Sequence, residues 1–195
     1  MQIDSVRVGT FRFEEKRLPF KRTDFQCKEV FPAIGPYNAI MTAVSPKDEH
    51  QIRMYRQTDF SELHRIDQIC FADGIAFTEP EMLFYLSHPG SIIAVAERGG
   101  EIVGFAAGQI EVEASAHIFT LDVIPEVRRQ GVGTKLMRSL HQSFRDRNVK
   151  LVDLEVSVRN YAAQRLYERL QYRSVAVLHG YYRGREDAYR MMLLL

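Results

Sequence analysis

The segment that most constrains the fold is a strand that passes through a short glycine-containing loop directly into a helix. His117–Val123 is rich in apolar and β-branched residues, Gly131 and Gly133 follow it, and apolar residues then recur at helical spacing as far as Phe144. Glycine permits a positive φ and lets the backbone approach a ligand closely. The first amides of a helix have no partner within it, and the helix dipole is positive there, so an anion such as a pyrophosphate is favoured. The segment predicts an α/β domain with an anion-binding loop, and the alternative is an ordinary helix start in which the glycines only allow tight packing.

From residue 50 onward, strand and helix patterns follow one another along the whole chain. The predicted strands are 51–55, 92–96, 101–110, 117–123, 151–156, 173–179 and 187–194, and the predicted helices are 61–71, 79–86, 133–144 and 161–169. Gly99-Gly100 is typical of a tight hairpin turn, which makes the second and third strands antiparallel. The order predicts one α/β domain over residues 50–195, with a mixed sheet of about seven strands and flanking helices.

Residues 1–49 are predicted to form a separate N-terminal extension of unknown role. Apolar residues between Ile3 and Phe13 predict a strand or hairpin, and four prolines then interrupt regular structure. A linker or an arm that covers a partner is favoured over a functional module, and a homodimer formed through this arm is one of the partner predictions.

Composition excludes several classes of protein. The formal net charge is +1, which argues against nucleic-acid binding by bulk charge. No apolar run approaches the roughly 18 residues of a membrane span. Cys27 and Cys70 stand far apart, without a metal or redox spacing, and the six histidines show no paired ligand pattern. We therefore predict a cytoplasmic protein with reduced thiols, no metal and no membrane or nucleic-acid partner.

Three motifs point to a family. The loop lacks the Walker lysine, and no Rossmann acid follows it, so nucleotide hydrolysis and dinucleotide binding are disfavoured. Arg128-Arg129-Gln130-Gly131-Val132-Gly133 resembles the R/Q-x-x-G-x-G/A acyl-CoA loop of the Gcn5-related N-acetyltransferase (GNAT) superfamily. Residues 154–168 and 180–191 are similar to the branch that acetylates protein N-termini, which includes the ribosomal-protein alanine and Ard-type enzymes. The resemblance covers residues 50–195 and implies a mostly antiparallel, twisted sheet opened between strands 117–123 and 151–156.

The resemblance also implies roles for individual residues. Acetyl-CoA would be the co-substrate, with Glu155 as general base acting through a water and Tyr167 as general acid beside the sulfur. Tyr181 and Tyr182 would line the groove for the acceptor. The predicted cofactor-binding residues are Leu121, Asp122, Val123, Arg128, Arg129, Gln130, Gly131, Val132, Gly133, Thr134, Asn160 and Tyr167.

These residue types suit direct attack of an amine on a thioester. An α-amine has a pKa of about 8 and is roughly a tenth neutral at pH 7, so a carboxylate gives enough help to deprotonate it. Tyrosine is protonated at this pH and can donate to the leaving thiolate. The alternatives are that Glu155 pairs with an arginine of the sheet, that Tyr167 is a core aromatic and that Asn160 only caps a helix. Tyr181 and Tyr182 could equally cover the sheet end.

The predicted function is therefore acetyl transfer from acetyl-CoA to a primary amine, with the N-terminal α-amine of a protein or peptide as the favoured acceptor. A small amine, such as a polyamine or an antibiotic, is the alternative acceptor, and a catalytically silent acyl-CoA sensor is the alternative class. Residues 71–79 lack the Leu-Pro-Glu-Asn-Tyr stretch of the Ard-type enzymes, so first-residue specificity is not predicted. Gln171 replaces the glycine that the family often has after its last helix. Gln171 could adopt the same left-handed conformation at a cost of about 1 kcal/mol, so a different helix cap is left open while the fold is expected to be kept.

Overall fold

The computed structural model describes residues 6–7, 50–71 and 75–195. The strands within these ranges are β1 (Val6–Arg7), β2 (Gln51–Met54), β3 (Ser91–Arg98), β4 (Glu101–Ile110), β5 (Ser115–Val123), β6 (Leu151–Ser157), β7 (Arg173–Tyr182) and β8 (Glu186–Leu194). The helices are α1 (Phe60–Cys70), α2 (Glu79–Ser87), α3 (Val132–Arg145) and α4 (Tyr161–Arg169). The seven strands and four helices predicted after residue 50 are confirmed, each within three residues of its predicted bounds. Predictions for residues 1–5, 8–49 and 72–74 lie outside the described residues.

One twisted sheet organises the domain, with the strand order β2-β3-β4-β5-β6-β8-β7. Neighbouring strands along this path are antiparallel except β5 and β6, which are parallel. The predicted mixed and mostly antiparallel sheet of seven strands is therefore confirmed. β1 joins it separately, by pairing with β5.

The sheet is covered by helices on both faces. Alternate β3 residues face opposite layers, as a strand requires: Ile92, Ala94 and Ala96 pack in one core cluster, and Ile93 and Val95 in the other. The first cluster contains the apolar stripe of α3, and the second contains that of α1 and α2. Burial of both faces explains why the central strands are almost continuously apolar.

The sheet opens between its two parallel strands. β5 and β6 pair over only three residues, Ser115–His117 with Leu151–Asp153. β5 also carries a β-bulge against β4, where Phe119 is an extra residue between the paired Ile118 and Thr120. A bulge bends and twists its strand, so β5 turns away from β6 beyond these pairs. The opening lies between the strands for which it was predicted.

β1 lies along the opened edge of β5. It runs antiparallel to β5, with Val6 opposite Leu121 and Arg7 opposite Thr120. The predicted strand near the start of the extension is thus present over these two residues.

The turn after α4 has the left-handed conformation that its sequence left open. Gln171 adopts a φ of 70°, and the Tyr172 N–H donates to the Tyr167 carbonyl oxygen at 2.9 Å. A non-glycine residue therefore ends this helix in the left-handed region that glycine usually occupies. In the described part of the chain, no helix is long and apolar enough to cross a membrane.

Candidate active site

The loop between β5 and α3 has the backbone shape that its glycines predicted. Gly131 has a φ of 82° and Arg129 a φ of 64°. The Lys135 N–H donates to the Gly131 carbonyl oxygen at 3.0 Å, so the amides before Lys135 lie ahead of the helical hydrogen-bond ladder. A Cβ on Gly131 would meet no atom within 4 Å, whereas one on Gly133 would lie 3.1 Å from Leu166 Cδ1. Gly131 therefore permits the positive φ of the turn, and Gly133 permits the close packing of α3 against α4.

A cavity of about 590 Å³ lies beside this loop. It is lined by the end of β5, the loop, the first turn of α3 and one side of α4. The predicted cofactor-binding residues that line it are Leu121, Val123, Arg128, Arg129, Gly131, Val132, Gly133 and Thr134. Arg165 and Arg169 of α4 also line it and were missed from the sequence, although their i, i+4 spacing places them on one helix face. The cavity thus combines helix-start amides with several cations.

The Arg128 side chain turns back toward the sheet. Its Nε donates to the Val123 carbonyl oxygen at 2.8 Å, and an Nη lies 3.7 Å from Cys70 Sγ. The guanidinium therefore links the loop to the end of β5 and to α1. Arg129, by contrast, is exposed.

Three predicted cofactor-binding side chains make local contacts. The Gln130 amide donates to the Glu126 carbonyl oxygen at 3.2 Å. Asn160 Oδ1 accepts from the Ala163 N–H at 3.1 Å and so caps α4, as its alternative interpretation predicted. Asp122 is fully buried, and Thr120 Oγ1 donates to its carboxylate. The binding roles of Gln130, Asn160 and the Asp122 backbone stay predictions.

Tyr167 is fully buried at the inner face of α4. Among the described residues, its hydroxyl has no hydrogen-bond partner. Burial raises the pKa of the phenol well above its ordinary value of 10.0, and the nearby Tyr182 and Asp122 add to this effect. Its ring packs edge-on against Tyr172, with centroids 5.5 Å apart. Tyr167 is therefore a core aromatic whose polar atom is unsatisfied within the described chain, a combination that is rare in proteins and is often functional.

Glu155 lies just past the last residue pair between β5 and β6. Its carboxylate is buried and accepts a hydrogen bond from the Tyr181 hydroxyl at 3.1 Å. His117 Nε2 lies 3.5 Å from the same carboxylate oxygen, and Arg190 Nε lies 3.9 Å from the other. Glu155 thus contacts Tyr181, which was predicted to line the groove for the acceptor amine. Arg190 supplies the arginine partner in the sheet that the alternative interpretation of Glu155 predicted.

His117 was missed as a candidate site residue. Its Nδ1 lies 2.9 Å from Asp153 Oδ1, directly across the last parallel pair. Although burial alone lowers the pKa of His117, the Glu155 and Asp153 carboxylates raise it to about 9. Burial raises the pKa of Asp153, but His117 and Arg190 together lower it to about 2. At neutral pH the imidazole is therefore charged and sits between two carboxylates.

The side chains around His117 also include the ligand types that a metal site uses. One ligand atom from each of His117, Asp153 and Glu155 lies within 4.8 Å of the others. Arg190 already forms an ion pair with Asp153 and approaches Glu155, so a positive charge is supplied by the protein itself. The cluster is a network of opposite charges at the last pair between β5 and β6.

Tyr181 and Tyr182 come together at the end of β7. Their rings meet edge-on, with centroids 5.2 Å apart. Burial, and after it the Glu155 carboxylate, raises the pKa of both phenols, so both remain protonated donors. The two tyrosines therefore lie near the Glu155 carboxylate, and the Tyr181 hydroxyl donates a hydrogen bond to it.

Comparisons with known proteins agree with this geometry. Residues 58–172 match the Acetyltransferase (GNAT) family. An N-alpha-acetyltransferase of Sulfolobus acidocaldarius is 31% identical over 160 residues, which cover 74% of this chain and 92% of that protein. The crystal structure of the ribosomal-protein-S18-alanine N-acetyltransferase from Escherichia coli has a TM-score of 0.69 and 28% identity, and the match covers 75% of this chain and 94% of that one. Ard1 from Thermoplasma volcanium has a TM-score of 0.69 and 28% identity, with coverage of 75% and 97%.

The match to the family covers more than half of the chain. The resemblance first inferred from three short motifs is therefore confirmed. The chain belongs to the Acetyltransferase (GNAT) family and is an N-acetyltransferase.

Proposed function

We propose that this protein transfers the acetyl group of acetyl-CoA to the N-terminal α-amine of a protein or peptide. The observation that carries the proposal is a pair of buried groups that both lie near Tyr182: the Glu155 carboxylate on β6 and the unsatisfied Tyr167 hydroxyl on α4. The names of the relatives point to the same acceptor, since they act on α-amines or on a ribosomal-protein alanine.

The described residues fit acetyl-CoA. The cavity beside the loop has helix-start amides and the exposed Arg129 for the diphosphate, and Arg165 and Arg169 lie across it for further phosphate charge. The buried Tyr167 hydroxyl is a donor that needs an acceptor. The edge of β5 at Thr120–Val123 offers backbone groups to the two amides of the pantetheine arm. When bound, acetyl-CoA supplies the activated acyl group as a thioester.

Deprotonation of the acceptor is the first task of the protein's own residues. Because an α-amine has a pKa of about 8, roughly a tenth of it is neutral at pH 7, and the base needs to give only modest help. Glu155 accepts this proton, directly or through one water, since the charged His117 beside it has no proton-accepting atom until it loses its own. His117 and Arg190 place positive charge beside the carboxylate, and the Tyr181 hydroxyl donates a hydrogen bond to it.

Tyr167 acts on the leaving sulfur. With a pKa well above 10.0 it is fully protonated at neutral pH. Burial also raises the pKa of a thiol from its reference value of about 8.5, so the same apolar surroundings that weaken the acid make the thiolate a better acceptor. The phenol therefore donates a hydrogen bond to the developing thiolate and supplies its proton. Backbone N–H groups at the end of β5 stabilise the negative charge on the carbonyl oxygen, an effect worth a few kcal/mol in comparable sites.

A peptide panel tests the proposal. Release of free thiol from acetyl-CoA is measured with peptides that begin with Ala, Ser or Met, each paired with the same peptide blocked at its α-amine. Turnover of the free peptides and not of the blocked ones supports the proposal. Turnover only with polyamines or aminoglycosides would favour the small-amine alternative. Binding of acetyl-CoA without turnover, unchanged by Tyr167→Phe, would favour a silent sensor. The cytoplasmic location stays a prediction from the sequence.

A further inference from the structure

β1 occupies a position that the proposed function needs for a ligand. On one edge, Thr120 and Leu121 of β5 pair with β4. Val6 and Arg7 pair with the same two residues, so β1 must take the opposite edge, the one that faces β6. This edge becomes available only beyond the last β5–β6 pair, where the sheet opens.

β1 runs along β5 between the anion-binding loop and the parallel pairs with β6. In the antiparallel register, the lower-numbered residue, Val6, lies opposite Leu121, and the higher-numbered Arg7 lies opposite Thr120. The amino-terminal end of β1 therefore points toward Val123 and the anion-binding loop, and its other end points toward His117. An extended chain in this position follows the path along which a pantetheine arm would run from the loop to the opening.

We propose that β1 is an internal competitor of acetyl-CoA for the free edge of β5, so that the cofactor binds only when Val6–Arg7 leaves this edge. The inference rests on the proposed function, because it takes the pantetheine amides to pair with Thr120–Val123. Each backbone N–H and C=O on an edge is satisfied by one strand-like partner at a time. β1 thereby lowers the fraction of molecules that are ready to bind the cofactor, and this is the role that we assign to it.

The size of the effect follows from the length of β1. Two antiparallel residue pairs contribute at most about two ladder hydrogen bonds, and each favours the paired state of β1 by about two- to twelve-fold. The apparent dissociation constant is the intrinsic one divided by the binding-competent fraction. Removal of β1 is therefore expected to tighten binding about five- to 150-fold. Such a competitor is weak enough for acetyl-CoA to displace.

The test uses the full chain with two matched double variants. Val6→Pro with Arg7→Pro removes both backbone N–H groups and cannot pair as a strand. Val6→Ile with Arg7→Lys keeps the amides, the strand propensity and the charge, and serves as the control. CoA affinity is measured by titration calorimetry, and steady-state kinetics give KM for acetyl-CoA and for a peptide.

The proline variant is expected to bind CoA about five- to 150-fold more tightly and to have a KM for acetyl-CoA lowered by the same factor, while KM for the peptide stays as in the control. Equal CoA affinity in the proline variant and the control overturns this inference and leaves the proposed function intact. A lower KM for the peptide alone also overturns it, because β1 would then cover the acceptor side. Failure of every form to bind CoA overturns both proposals.

Discussion

Replacement of Tyr167 by Phe is expected to stabilise the fold and to slow the reaction. The hydroxyl is fully buried and has no partner among the described residues. A buried hydroxyl without a hydrogen bond costs about 1–3 kcal/mol, and Phe removes this cost while the ring keeps its edge-on contact with Tyr172. The free energy of unfolding should rise by about 1 kcal/mol or more, which in a protein of this size corresponds to an increase of about 2–4 °C in Tm.

The same substitution removes the proposed proton donor. Loss of one well-placed donor to a developing negative charge typically lowers kcat by about 10²–10³, and we expect a decrease in this range. The affinity for CoA should change little, because the hydroxyl acts on the sulfur only as the thiolate forms. Thiol release gives kcat, calorimetry gives the CoA affinity, and urea unfolding gives the stability.

Tyr172→Phe is the matched control. The Tyr172 hydroxyl lies 2.8 Å from His141 Nε2, and burial lowers the pKa of this histidine to about 4, so the pair is neutral and buried at pH 7. Removing the hydroxyl leaves the imidazole unsatisfied and should cost about 1–3 kcal/mol of stability, with kcat nearly unchanged. An unchanged kcat in Tyr167→Phe would remove this residue from the acid role. A loss of stability there would contradict the assignment of an unsatisfied hydroxyl.

Three further predictions concern the base, the charge network and the loop. Glu155→Gln keeps the shape of the side chain but removes the proton acceptor, so kcat with a peptide at pH 7 should fall about 10²-fold with CoA affinity unchanged, and an unchanged kcat would exclude Glu155 as base. The pKa of His117 is raised from 6.5 to about 9, so its stabilising interaction is fully present below pH 6.5 and is lost as the pH rises through 9. Urea unfolding should show that the free energy of unfolding falls by at most about 3 kcal/mol between pH 6 and pH 9.5, and that His117→Gln abolishes this fall. An equal dependence of the free energy of unfolding on pH in the unmodified protein and in His117→Gln would refute the charged network. Gly131→Val places a β-branched residue at a φ of 82° and should weaken CoA binding at least about tenfold. The control, Gly99→Val, lies at a φ of 61° in the hairpin between β3 and β4 and should lower stability alone. Equal CoA affinities of these two variants would argue against the loop as the binding site.

The order of elements and the anion-binding loop were predictable because their causes are local. Helical and strand periodicity, the Gly99-Gly100 turn and the glycines after β5 each act within a few residues of the chain. Glu155 and Tyr167 became candidates for a related reason, since each lies within a short motif that resembles the family. The conformation of Gln171 was left open by the sequence, and the structure shows it to be left-handed.

The interactions that connect distant segments could not be predicted in this way. His117 reaches Asp153 and Glu155 only because β5 and β6 pair in one particular register and then separate at a bulge. The return of the Arg128 side chain to β5 depends on the packing of α1, which places Cys70 beside it.

The pairing of β1 with the free edge of β5 likewise joins residues more than a hundred positions apart. Local sequence determined which elements form and which motif resembles the family, because propensity and capping are short-range effects. Tertiary structure decided which charges meet at the opening and which strand pairs with its edge, because register and strand order are fixed only when the two apolar faces of the sheet are buried together.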